Sequence, residues 1–427
     1  MNGLKIRVVL TRFRETGFFH VFGGSVINKI VAFLTGVVMV RLLTTEEYGV
    51  FTYAWNIYSI TILLDGLGAA SAVLQMCSER GSDGQYVRQI CNYGARFGLT
   101  FDIVIGAALA ILGTCIPLPI DGAGELLRLL CALPALRLLF DLTVSCLRAQ
   151  KRNRDYAQLN TLNTVVIFVL SAAGALLFRE KGLILGYYGA YMVTVFLAFK
   201  RKNVPLISRE KLPEQGVRRT FRSIAMISMC NTGLSQLLYL LDIFVLGIVD
   251  PQETLLASYR VATIIPSALT FIPISLITYV YPYFAEHKED GAWCMRRFKQ
   301  LLLGLGATNL LITVVLAAAA PLVIQVFFGE AYAGVVPLFR LLAVNYCISG
   351  TFRIPAGNLL VTQRKLKFNL MTAILSGCVN IAADYLFITR WGAMGAAMAT
   401  VLVVLITSVM NTGYLIYTFK KNAAAVS

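Results

Sequence analysis

Eleven ionisable side chains stand inside long apolar runs of this 427-residue sequence: Lys29, Arg128, Arg137, Arg260, Arg340 and Arg353 on the basic side, Asp65, Asp102, Asp141, Asp242 and Asp384 on the acidic side. A charge in such a setting costs roughly 2.5–3.5 kcal/mol on insertion scales, so it faces a cavity or a partner. Arg137 is central in its run, three residues after Pro134, and cannot snorkel to either side. Lys29 is similarly central, Arg353 lies two residues before Pro355, and Arg260 precedes Pro266 and Pro273. Prolines free backbone carbonyls and bend helices, which suits spans that line a cavity and move. The cations admit two readings. One is a cationic cavity for an anionic headgroup, the planar guanidinium fork matching phosphate oxygens. The other is an internal ion pair, such as Lys29 or Arg137 with Asp65. Arg128 and Arg340 lie near span ends, where a long side chain also reaches the interface by snorkelling. Asp65 and Asp242 are candidates for binding a coupling H⁺ or Na⁺. Asp102 and Asp141 lie towards inner ends and read as structural.

The runs that must position these groups are membrane spans. The chain is 57% hydrophobic and 14% charged, with a mean hydropathy of +0.71, more apolar surface than a soluble protein of this length can hide. A bilayer core of about 30 Å takes roughly 20 helical residues. Spans are expected near 17–40, 48–76, 90–114, 123–147, 156–178, 183–200, 222–249, 255–283, 299–327, 334–361, 368–388 and 392–419. The fold class is therefore an all-α integral membrane protein with twelve transmembrane helices.

The net charge of +16 is a matter of position rather than of nucleic-acid binding. With the N-terminus inside, 28 of the 38 Lys and Arg fall on inner segments, six lie within spans, and only Arg41, Arg179, Lys181 and Arg390 fall outside. The positive-inside rule then places both termini in the cytoplasm. The basic N-terminal segment leads into a run too long for a signal peptide and reads as an uncleaved first span. The outer loops, such as 117–124 and 249–254, are too short to hold a soluble domain.

The polar stretch 200–222 carries eight Lys and Arg and divides the chain into halves at 1–203 and 204–427. The halves resemble each other. Gly186–Val195 and Gly392–Val401 share six of ten positions at an offset of 206; Arg128, Phe140 and Arg152 face Arg340, Phe352 and Arg364 at 212; Phe51 and Ala54 face Tyr259 and Ala262 at 208. Six spans per half is an even number, so the halves are parallel repeats, two six-helix lobes. In transporters with such repeats the substrate site lies where the repeats meet.

Chemistry of other kinds finds little support. Nine scattered cysteines without a C-x-x-C pair and two distant histidines predict no disulfide framework and no metal site. The glycines before Lys29 lack the Gly-Lys-Ser/Thr ending of a phosphate loop. There is no G-x-S-x-G or H-E-x-x-H, and no catalytic residue is assigned. Trp55, Tyr48, Tyr53 and Trp391 read as interfacial anchors.

Val40-Arg-Leu-Leu-Thr-Thr-Glu-Glu-Tyr-Gly-Val-Phe51 resembles a passage of bacterial polysaccharide repeat-unit flippases, the polysaccharide-transporter branch of the multidrug/oligosaccharidyl-lipid/polysaccharide exporter superfamily. Asp65-Gly-Leu-Gly68, Asp242-Ile-Phe-Val-Leu-Gly247, Tyr259-Arg-Val-Ala262, Phe328-Gly-Glu-Ala-Tyr332 and Trp391-Gly-Ala-Met-Gly-Ala396 extend that likeness in order along the chain. The resemblance implies a multi-pass protein of the bacterial inner membrane. It would flip an undecaprenyl-diphosphate-linked oligosaccharide repeat unit by alternating access through a cationic central cavity. Arg137, Arg353, Lys29, Arg260, Arg340 and Arg128 are the candidate substrate-binding residues, and Asp65 and Asp242 the ion-coupling ones. No cofactor is expected beyond a coupling H⁺ or Na⁺. The expected partners are the polyprenyl-diphosphate-linked glycan, the lipid bilayer and a polysaccharide polymerase, with no nucleic acid. Related peptidoglycan-precursor flippases have fourteen spans, against twelve here. The alternatives are an ion-coupled drug or small-molecule exporter of the same superfamily, which should place acids at its centre, a membrane-bound polymerase or ligase, which needs a large outer loop, and a non-transporting assembly partner.

Overall fold

The computed structural model describes residues 18–79, 83–202 and 212–426. The N-terminal basic segment and residues 203–211 of the charged joint, with the expected 203/204 boundary, lie outside the described residues. Among the described residues the chain is helical and contains no strand. The helices are α1 (Phe18–Leu42), α2 (Thr45–Thr61), α3 (Ala69–Glu79), α4 (Gly84–Cys115), α5 (Ala123–Leu130), α6 (Leu133–Ala149), α7 (Asn153–Lys202), α8 (Gln215–Val249), α9 (Glu253–Leu269), α10 (Phe271–Glu286), α11 (Gly291–Phe327), α12 (Val336–Ile348), α13 (Ile354–Thr362) and α14 (Leu366–Val426).

Among the described residues, seven helical stretches are each long and apolar enough to cross a membrane, and α5 with α6, bent by 44°, make an eighth. Two of the seven, within α7 and α14, run 48 and 58 residues. At about 1.5 Å per residue each is more than twice the ~30 Å core. Both break midway, at Phe178–Arg179 and at Gly392, so each is two crossings. With α1 and α8 the membrane-length helices among the described residues number twelve. Large apolar side chains point outward along them, Leu177 and Leu303 each 74% exposed, as lipid-facing residues do.

By its contacts the chain divides into two units, Met1–Leu237 and Leu238–Ser427, and the division falls inside α8. The reason is local. Phe221, on the first part of α8, is fully buried in a core with Val73, Ile90, Leu138 and Leu142 of the first unit. The second unit has its own core of Phe284, Phe298, Leu359, Leu360 and Phe419. In the first unit Cys91 of α4 and Cys146 of α6 form a disulfide, which corrects the expectation of no disulfide. They are 55 positions apart, and packing rather than spacing brings them together. The other seven cysteines are free.

Polar residues set the helix ends. Thr44 and Glu47 form a capping box, Thr44 Oγ1 accepting from the Glu47 amide at 3.2 Å and Glu47 Oε2 from the Thr44 amide at 2.8 Å. Asp83 and Asp290 cap α4 and α11 with the side chain alone, Asp83 accepting from the Gln85 and Tyr86 amides and Asp290 from that of Trp293.

Two backbone features recur at a single spacing. Lys151 and Arg364, 213 positions apart, both have φ near +58° and end a helix with the same pair of bonds. Lys151 and Arg152 donate to Arg148 and Leu147 carbonyls, Arg364 and Lys365 to those of Val361 and Leu360, all at 2.9–3.0 Å. The breaks at Arg179 (φ 55°, ψ −137°) and Gly392 (φ 52°, ψ −132°) are also 213 apart. The structural register of the repeat is therefore 213, not the 206, 208 and 212 of the short motif matches. Apolar motifs match at several registers by composition, whereas a positive-φ turn fixes one. Glycine occupies such a position without strain; Arg179 is retained there with its Nε 3.3 Å from Glu47 Oε1 and its Nη1 donating to the Leu42 carbonyl at 3.1 Å.

The two halves of α7 touch through Gly174 and Gly182, where a Cβ on either would run into the other's carbonyl oxygen. Gly182→Val is expected to lower thermal stability in detergent by about 3 kcal/mol or more, whereas Gly304→Ala, with open space around it, should leave the melting temperature unchanged or raise it slightly; a fluorescence melt of both variants checks this.

Candidate functional site

Among the described residues, each unit contains a buried centre built on carboxylates. In the first, the helix running from α2 to α3 is broken at Ile62–Gly68. Asp65 leaves helical geometry (φ −46°, ψ 120°), and Gly66, Leu67 and Gly68 come next with φ of 50°, 45° and 79°. The space is as restrictive as the conformation. A Cβ on Gly66 would press on Leu138, and one on Gly68 would strike the Ala225 carbonyl. The Asp65-Gly-Leu-Gly68 motif is thus a turn that only those glycines allow. The amide it releases is not lost: Gly66 N–H donates to Asp102 Oδ1 at 2.8 Å, a buried bond from α4.

Arg137 on α6 stands between two further carboxylates. Its Nε lies 3.6 Å from Asp141 Oδ2, one turn along the same helix, and 4.0 Å from Asp65 Oδ2. Tyr58 and Tyr191 are within electrostatic range of its guanidinium. Three carboxylates face one guanidinium here, and Asp65 Oδ1 and Asp102 Oδ2 remain buried without a hydrogen-bond donor. Of the two readings of Arg137, the internal ion pair is the one the geometry displays. Its side chain as a whole is 36% exposed.

The centre of the second unit is built on Asp242 of α8, 7% exposed. Asp242 Oδ2 accepts from the Tyr259 hydroxyl and from Thr400 Oγ1, both at 2.6 Å, and Oδ1 accepts from Asn380 Nδ2 at 3.1 Å. Tyr259 comes from α9, Asn380 from the first half of α14 and Thr400 from the second, so four helical segments converge. Asp384, fully buried, acts electrostatically on Asp242 from one turn beyond Asn380, and neither of its oxygens has a donor. Asn380 Oδ1 is also unpartnered. Among the described residues no Lys or Arg forms a salt bridge with either carboxylate. Two carboxylates, an amide oxygen and two hydroxyls form an all-oxygen donor set. Its chemistry suits a proton or a small hard cation such as Na⁺, and not a soft transition metal. No cluster of three His, Cys, Asp or Glu occurs among the described residues.

The six candidate cations occupy different elements. Lys29 on α1, Arg128 on α5 and Arg260 on α9 are exposed. Arg340 on α12 is exposed and donates from Nε to the Ala317 carbonyl at 2.9 Å. Arg353 is half-buried at the end of a π-turn, Ser349–Arg353, that separates α12 from α13. Such a turn adds a residue to the helical repeat and re-aims the helix beyond it. Sequence reasoning identified Asp65, Arg137 and Asp242. It gave no role to Asn380, Thr400 or Tyr259, although the four-residue spacing of Asn380 and Asp384 in an apolar span marks one helix face.

Arg137→Gln is expected to cost about 1–3 kcal/mol of stability by leaving Asp65 and Asp141 unpaired, the figure reduced for partial exposure. Arg137→Gln/Asp141→Asn should recover part of it, a coupling that a double-mutant cycle on melting temperatures measures.

Known proteins share both the sequence pattern and the fold. A family model described as "Polysaccharide biosynthesis protein" matches residues 16–288. No curated protein matches the sequence. Among solved structures, the chain is similar to an inward-facing multidrug resistance MATE family transporter of the MOP superfamily, at 15% identity, with 94% of this chain and 96% of that one covered and a TM-score of 0.73. It is similar to the lipid II flippase MurJ in an inward closed conformation, at 14% identity, 94% and 89% coverage and a TM-score of 0.73. A MOP superfamily transporter from Pyrococcus furiosus, described as having a binding pocket of reversed polarity, is similar at 13% identity, 95% and 94% coverage and a TM-score of 0.62. At these identities the likeness is one of fold: two helical lobes of the MOP type.

Proposed function

The chain belongs to the polysaccharide biosynthesis protein family, and we propose that it flips an undecaprenyl-diphosphate-linked oligosaccharide repeat unit across the bacterial inner membrane. The observation that carries the transport reading is the Asp242 centre. A pair of buried carboxylates with an all-oxygen surround and no basic partner stabilises a folded membrane protein only when a cation or proton neutralises it. Binding and release of that cation between two conformations supply the differential affinity that drives alternating access.

The cargo reading draws on the family, on the lipid II flippase among the fold relatives, and on the cations. A diphosphate and its sugars cannot enter hydrocarbon unaided. Long basic side chains on helices replace their hydration, and the polyprenyl tail stays in lipid. Lys29, Arg260 and Arg353 are assigned to the diphosphate, with Arg128 and Arg340 as outlying contacts. Arg137 is assigned both to the carboxylates of its own unit and to cargo. The excess of Lys and Arg on alternate loops supports cytoplasmic termini. A membrane-bound polymerase that consumes the flipped unit is the expected partner. The fold relatives are transporters, and no enzymatic role is assigned. The second reading, export of a drug or small molecule, is favoured by the likeness to multidrug resistance transporters and differs in cargo, not in the cation centre.

A deletion strain complemented with wild-type, Asp242→Asn or Lys29→Ala/Arg260→Ala protein tests both parts. Complete repeat units on polyprenyl diphosphate should accumulate on the cytoplasmic leaflet with Asp242→Asn, flipping falling at least tenfold at normal protein levels. The double cation variant should weaken cargo affinity about tenfold per residue, or about 1.4 kcal/mol each. Surface glycan made at the wild-type rate by the deletion strain itself would sink the glycan reading and bring the small-molecule exporter forward.

A further inference from the structure

The Asp242 centre is one end of a longer polar seam inside the second unit. At Gly392, α14 folds back on itself, and three contacts hold its halves antiparallel. A Cβ on Gly395 would strike the Phe387 carbonyl; Asn380 and Thr400 meet at Asp242; Phe368 and Tyr414 stack with ring centroids 3.9 Å apart. Between the last two of these contacts the buried positions of the first half are polar, and those of the second half are Val403 and Val404 followed by Thr407, Ser408 and Asn411. Thr372 and Ser376 continue the face of Asn380 on one half, and Ser408 and Asn411 continue that of Thr400 on the other; all four are at most 8% exposed.

These groups do not satisfy one another, as polar residues that merely join two helices would. Ser408 Oγ, Asn411 Oδ1, Thr412 Oγ1 and Asn369 Oδ1 are buried and have no hydrogen-bond partner in the protein. Each such group costs roughly 1–3 kcal/mol when nothing solvates it, and four fall in one seam. Gly357 of α13 lies against them: a Cβ there would stand in contact, 3.6 Å from Asn411 Nδ2, and its carbonyl accepts from Asn369 Nδ2 at 2.8 Å. The seam finishes at Gln363, whose Oε1 accepts from Asn422 at 3.1 Å while its Nε2 is unpartnered. From Asn380 to Asn369 it climbs about 16 Å along the helix, roughly half the bilayer core.

We infer that this seam is a hydrated path through the second unit, along which the coupling cation passes between the Asp242 centre and the face that carries Gln363 and Asn422. The inference rests on the reading of Asp242 as a cation site. The path follows α14 where Asn369 and Asn411 meet Gly357 of α13. Ser408 and Asn411 line it and exchange water or cation oxygen contacts; Asp384 receives the cation at its end.

Thiol accessibility tests this. Ser408→Cys and Val409→Cys are adjacent, but Ser408 is 4% exposed and Val409 71%, facing lipid. Membrane vesicles presenting the Gln363 face would be treated with ethylammonium methanethiosulfonate, a small cation that needs water to react, and labelling of each site tracked by peptide mass spectrometry. The buried Ser408→Cys should label at least tenfold faster than the exposed Val409→Cys, and Thr412→Cys should behave like Ser408→Cys. Equal or inverted rates would overturn the path. In a second arm, ²²Na⁺ binding and a pH-gradient assay on the purified wild-type protein and Asp242→Asn report the centre separately. Fast labelling with cation binding lost in Asp242→Asn supports the proposal; fast labelling with cation binding absent from the wild type too would overturn the cation assignment on which it rests, and slow labelling with cation binding intact would overturn the path alone.

Discussion

A carboxylate inside a membrane must have its charge met within a few ångström, and the two units meet that demand in different ways. The first places Arg137 between Asp65 and Asp141, so that its counter-charge is part of the chain. The second surrounds Asp242 with a tyrosine, a threonine and an asparagine and adds a second carboxylate, Asp384, but no basic side chain among the described residues. Hydrogen bonds spread the charge of Asp242 without neutralising it. A centre whose carboxylates are met in part by a guanidinium of the chain, as three are met by Arg137, is held together by its own residues. A centre that becomes neutral only with a proton or cation responds to conditions outside the protein, which is what a coupled transporter requires.

That electrostatic demand explains why the backbone is irregular where it is. The broken helix at Asp65 frees an amide that would be costly if left unbonded in a bundle interior. Asp102 accepts it, and Arg137 offsets the negative charge gathered there. The turn, the carboxylate and the guanidinium are one device, and Gly66 and Gly68 are in it because their neighbours leave no room for a Cβ. The breaks at Arg179 and Gly392 serve a different end. They return a helix of twice membrane length across the bilayer, with glycine where the turn is free and arginine where an ion pair to Glu47 holds it.

Much of this was legible in residue types. Charge asymmetry, apolar run length and the motif that opens α2 indicate a multi-pass helical protein, and the Thr44–Glu47 capping box shows why that motif starts a helix. Single in-span acids pointed to Asp65 and Asp242, because an ionisable residue in an apolar run stands out by itself. Asn380, Thr400 and Tyr259 did not, since amides and hydroxyls are common in spans and become a site only when they converge. The disulfide of Cys91 with Cys146 and the 213-residue register of the repeat were hidden for the same reason: the first is a contact across 55 positions, the second a property of φ angles.

By itself the sequence determined the class of protein, the number of its membrane-length helices and which charges needed an explanation, because burial in lipid acts on each residue one at a time and composition records it. Only the tertiary structure decided which charges are paired and which await a partner. Arg137 has Asp141 one helical turn away in the sequence, but only the fold adds Asp65 to it, and only the fold surrounds Asp242 with neutral oxygens and a second acid. Electrostatic energy depends on distances of a few ångström between residues tens to hundreds of positions apart, and those distances exist only in the folded chain.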